Sequence, residues 1–91
     1  MNQHFNKKNI EAAIRVALTN PVEKIYINGE RSQKRYYVKY SQLFDDLILD
    51  CENENGAMDC VYTAQITRTQ KCKKEFVDFA TKRFYDKIKA A

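Results

Sequence analysis

Three cysteines, one histidine and twelve carboxylates are the side chains from which this chain would have to build a metal site. Cys51, Cys60 and Cys72 are separated by eight and eleven residues, whereas zinc sites draw their ligands from close pairs. Asp50, Glu52 and Glu54 alternate as in a calcium-binding loop. Asn55, however, stands where the turn glycine belongs, and Val61 where the bidentate glutamate should be. The single histidine, His4, would need special docking to reach a cysteine. Cys72 sits beside Lys71, Lys73 and Lys74 at the start of a helical pattern, a setting that favours a thiolate. The same position begins an apolar stripe, and a buried structural thiol is the commoner outcome. Two glycines cannot supply a phosphate-cradling loop. The expectation is a protein that is not an enzyme, with no catalytic residue, metal or cofactor.

Binding chemistry is better represented. Lys24, Tyr26, Arg35, Tyr37 and Lys39 occupy alternate positions in two β-type stretches, so they share one sheet face. Thr63, Gln65 and Thr67 add hydroxyl and amide groups from a third. Cations interleaved with aromatics suit RNA or single-stranded DNA, the cations facing phosphates and the rings stacking on bases. The start of the last helix adds Arg68, Lys71, Lys73 and Lys74, an anion site by charge and helix dipole. An ordinary sheet with one wetted face also pairs tyrosine with lysine.

The charge is segregated. Within a net +4, residues 45 to 59 carry −6 from Asp45, Asp46, Asp50, Glu52, Glu54 and Asp59, and the flanks carry +5 each. Such a segment repels phosphate but suits a basic protein, with Phe44, Leu49 and Met58 as apolar anchors. The two functional readings are therefore nucleic-acid binding by the basic face, or a protein-binding inhibitor or adaptor acting through 45–59 on a nucleic-acid-handling complex. The Asn, Lys, Ile and Tyr richness fits an AT-rich gene of phage or mobile-element type.

The elements that must position these groups follow from periodicity. Ile10, Ala13, Ile14, Ala17 and Leu18 predict a helix over 7–18, capped by Asn6 and stopped before Pro21. Strands are predicted at 22–27 and 34–40, joined through Asn28-Gly29 or the polar loop after it. Ile25, Ile27, Tyr36, Val38 and Tyr40 make their apolar side. For 41–52, Phe44, Leu47, Ile48 and Cys51 fit a helical stripe after a Ser41 cap, ending near Gly56. The competing strand reading pairs Leu47-Ile48-Leu49 with the chain that follows. A strand at 60–68 and a helix at 70–89, with Thr69 as cap, complete the chain. Cys72, Phe76, Phe79, Ala80, Phe84 and Ile88 form the last helix's predicted apolar face.

The expected fold is α+β, one domain over 1–91: a small two-layer sandwich in the order α-β-β-(α)-β-α. Its three-stranded antiparallel sheet carries the N- and C-terminal helices on one face. Helix, three strands, and a helix with lysines at its start is similar in layout to the double-stranded RNA-binding domain. The acidic segment 41–59 would be an insertion there, and that family's motif residues are absent. No apolar run approaches membrane-spanning length, Met1–Lys8 lacks a signal peptide's apolar stretch, and the odd cysteine count argues for reduced thiols. A cytoplasmic monomer or homodimer, with no membrane partner, is expected.

Overall fold

The computed structural model describes residues 6–27, 35–52, 58–65 and 73–90, and the side chains of all of these except Met58 and Asp59. Helix α1 spans Lys7–Thr19. It forms where the sequence predicts because its signals are local. The Asn6 side chain accepts from the Asn9 N–H at 2.8 Å, and Ile10, Ala13, Ile14, Ala17 and Leu18 are all buried. At its C-terminal end the Val16 carbonyl accepts from Thr19 Oγ1 and from Asn20 Nδ2, both at 2.9 Å, which satisfies an otherwise orphaned group.

Four antiparallel strands follow: β1 (Ile25–Tyr26), β2 (Arg35–Ser41), β3 (Asp46–Glu52) and β4 (Met58–Gln65), paired in that order across the sheet. Helix α2 (Lys74–Ala90) closes the chain. Both helices pack on one sheet face, where Tyr36, Val38, Tyr40, Leu47, Leu49, Cys51 and Ala64 form a continuous core with their apolar stripes. The α+β class and the placement of both helices are as expected. None of the described helices is long and apolar enough to cross a membrane.

The structure corrects the middle of the chain. Residues 46–52 form a strand, so the sheet has four strands rather than three, and the layout departs from that of a double-stranded RNA-binding domain. The helical reading failed because Ile48 is apolar yet faces outward, which disguised a period of two. Leu47, Leu49 and Cys51 point into the core and lie opposite Tyr40, Val38 and Tyr36. Those partners already form a buried row on β2, and only a strand lets a neighbour match it residue by residue.

Other boundaries shift for local reasons. The first strand shrinks from 22–27 to Ile25–Tyr26, because Val22 takes a φ of 64° in the left-handed region. That conformation is unfavourable for a β-branched residue and is held by its N–H donating to the Tyr40 carbonyl at 3.0 Å. In β4 the register slips: Leu49 faces Tyr62 but Asp50 faces Cys60. Val61 is the extra residue of a β-bulge, and Cys60 becomes exposed. Residues 66–68 and 70–72, Thr69 and the Asn28-Gly29 turn lie outside the described residues.

The apolar face of α2 also differs from the expected one. Phe76, Val77, Ala80, Thr81, Phe84 and Ile88 are buried, while Phe79 is 47% exposed. A helix buries an arc, and the arc centred on Ala80 and Phe84 leaves Phe79 on its shoulder. Cys72, placed on that face by its spacing, lies outside the described residues.

Candidate interaction surfaces

The sheet face away from the helices collects the residues expected to meet nucleic acid, together with carboxylates that the helical reading had placed elsewhere. Tyr26 pairs with Tyr37, Tyr37 with Asp50, and Arg35 with Glu52. Glu52 Oε1 accepts from the Tyr26 hydroxyl at 3.0 Å and lies 3.6 Å from Arg35 Nη1. The Arg35 guanidinium stacks 4.1 Å from the Tyr26 ring centroid, and Lys24 Nζ lies 5.1 Å from that of Tyr37. The two tyrosine rings meet edge to face at 5.5 Å. Lys39, opposite Ile48, sits farther along the same face.

Lys24, Tyr26, Arg35 and Tyr37 are thus brought together as one linked cluster, with Glu52 and Asp50 inside it. Once 46–52 is a strand, Asp46, Asp50 and Glu52 alternate outward and intersperse with Lys24, Arg35 and Lys39. The face is mixed in charge rather than basic. Tyr26 is 38% exposed, but Tyr37 is only 2% exposed. Burial pushes the Tyr37 phenol up to about 12, helped by its hydrogen bond to Asp50 and the negative charge there. Burial first, then the hydrogen bond to Glu52, raises Tyr26 as well.

A titration follows from this. A phenol whose folded value lies above the ordinary 10.0 favours the folded state below pH 10, and that contribution is lost as pH rises towards about 12. Tyr37→Phe should therefore remove one late-ionising phenol from an ultraviolet titration of the protein. A titration curve unchanged by Tyr37→Phe would overturn the burial of that phenol.

The second surface is the tip of the β2–β3 hairpin. Leu43 is 85% and Phe44 71% exposed on a four-residue turn. The turn is held by two hydrogen bonds, with Asp45 in the left-handed region. The Tyr40 hydroxyl donates to Asp45 Oδ1 at 2.5 Å, the Phe44 N–H donates to Ser41 Oγ at 3.4 Å, and Asp45 takes a φ of 55°. Exposed Val22 lies alongside, since its N–H is bonded to the Tyr40 carbonyl. Asp45 and Asp46 follow the apolar pair directly in the chain. Of the anchors expected from sequence, Phe44 is available, Leu49 is fully buried, and the Met58 side chain lies outside the described residues. Leu43 was missed, because a helical reading of 41–52 gave it no role. A strand reading would have exposed it at once, as the tip of a hairpin.

The start of α2 carries Lys73 and Lys74. Lys74 Nζ pairs with Asp78 Oδ2 at 3.5 Å. Lys73 lines an open cavity of about 300 Å³ with Gln65, Glu75, Phe76 and Phe79. Arg68, Lys71, Glu54 and the Asp59 side chain lie outside the described residues. No known family model, curated protein or solved structure significantly matches the chain.

Proposed function

We propose that the protein is a binding module that inserts the β2–β3 hairpin tip into an apolar recess on a basic partner protein. The observation that carries this reading is the exposure of Leu43 and Phe44 on a turn already fixed by Tyr40, Ser41 and Asp45. A rigid tip loses little conformational freedom on binding, and burying either side chain fully is worth about 1.5–3 kcal/mol. Asp45 and Asp46 follow directly in the chain, so a positive partner is steered toward the apolar pair. Basic surfaces are characteristic of proteins that handle nucleic acid, and an acidic hairpin competes for them. A host complex of that kind is the partner class, and the protein acts as its inhibitor or adaptor.

Affinity capture with the wild-type chain and with Leu43→Ala and Phe44→Ala variants tests the reading. Each substitution should weaken capture of the same partner at least about thirtyfold, the size of an interface hot spot. Wild-type association should slow as ionic strength rises. A partner set unchanged in the double variant would overturn the proposal.

Nucleic-acid binding is the second reading, favoured by Lys24, Arg35 and Lys39 sharing a face with the part-exposed Tyr26. Titrating single-stranded and duplex DNA and RNA at two salt concentrations distinguishes it. On this reading Tyr26→Ala costs roughly 1–3 kcal/mol on single strands, and no measurable binding at low salt removes it.

A further inference from the structure

Helix α2 has two flanks with different neighbours. On one, Lys7 Nζ of α1 lies 5.5 Å from the Tyr85 ring centroid. On the other, Lys87 Nζ reaches the Tyr62 ring of β4 at 5.6 Å, and β4 is the last strand in the sheet order. Glu75, Phe79 and Arg83 project beside this second flank at intervals of four residues, a single ridge on the helix surface. All three are exposed. Among the described residues the ion pair on α2 is Lys74–Asp78, and neither Glu75 nor Arg83 joins an ion pair with another described residue. The Arg83 guanidinium lies 5.3 Å from the Phe79 ring centroid and leaves that ring 47% exposed.

The ridge reads acid, aromatic, base, and that order is self-complementary only when reversed. We infer that α2 packs against α2 of a second copy of this chain, antiparallel, about a two-fold axis at Phe79. Residues equidistant from the axis then face each other: Phe79 meets the partner's Phe79, and Glu75 meets the partner's Arg83 on both sides. A parallel arrangement would bring like charge onto like charge. Ridges formed by residues four apart interdigitate in the commonest class of helix packing, and an isologous contact of this kind closes on itself as a dimer. The open cavity beside Phe76 and Phe79, about 300 Å³, lies on the same flank and gives the partner's aromatic ring room to enter. The hairpin tip plays no part in this contact, so the inference stands or falls apart from the proposed function.

Sedimentation or light scattering over a range of protein concentration tests it, with circular dichroism as the control for folding. Wild type should pass from monomer to dimer as concentration rises. Phe79→Ala should raise the dissociation constant at least about thirtyfold. Glu75→Arg and Arg83→Glu should each weaken the dimer, and the two combined should restore it, because the swap rebuilds both cross-axis pairs. A monomer at every concentration would overturn the inference. So would a dimer indifferent to Phe79→Ala, or a double swap weaker than both single variants.

Discussion

Phe84→Ala should remove about 3–5 kcal/mol of stability, read as a lower urea midpoint at unchanged slope. Phe84 is fully buried and meets Tyr62 edge to face, with ring centroids 6.0 Å apart and planes at 79°. Truncation therefore loses the transfer free energy of the ring, leaves a cavity between α2 and β4, and breaks an aromatic pair. A chain of 91 residues is stable by about 5–14 kcal/mol in total, so this one substitution takes a large share of it. Phe79→Ala, on the exposed shoulder of the same helix, should leave the monomer within about 1 kcal/mol of wild type. If the two results were exchanged, α2 would be rotated about its axis relative to the sheet.

Leu49→Ala should cost about 2–5 kcal/mol, while Phe44→Ala should change stability by no more than about 0.5 kcal/mol. Leu49 is fully buried at the centre of the sheet, facing Val38 on one side and Tyr62 on the other. Neither neighbour can close the gap, because both are held by backbone ladders. Phe44 stands at the hairpin tip, 71% exposed and outside the core cluster. In a helix over 41–52 the order would reverse, since Phe44 lies on the apolar stripe and Leu49 off it. Urea denaturation of the two variants thus separates the two structures of this segment without further information. The Phe44 variant, folded and stable, is then the right reagent for the partner-binding experiment.

The sequence by itself determined what depends on near neighbours. Asn6, the 10-13-14-17-18 stripe and Pro21 lie within a few turns of one another, so α1 follows from them directly. The alternation of Arg35-Tyr36-Tyr37-Val38-Lys39-Tyr40 sorted β2 into its two faces, because every second side chain points the same way whatever the strand pairs with. Only the tertiary structure decided the segment 46–52, where Ile48 breaks the alternation and both periods fit. The buried row on β2 selected the strand, through pairs 7 to 15 positions apart in sequence: Tyr40 with Leu47, Val38 with Leu49 and Tyr36 with Cys51. That choice carried the acidic residues with it: three carboxylates turned onto the face that sequence alone makes basic, and Leu43 and Phe44 moved to an exposed tip. The burial of Tyr37 and the exposure of Phe79 were settled in the same way. Which side of a ring is covered depends on a neighbouring strand or on the rotation of a helix, and neither is written in the spacing of the residues themselves.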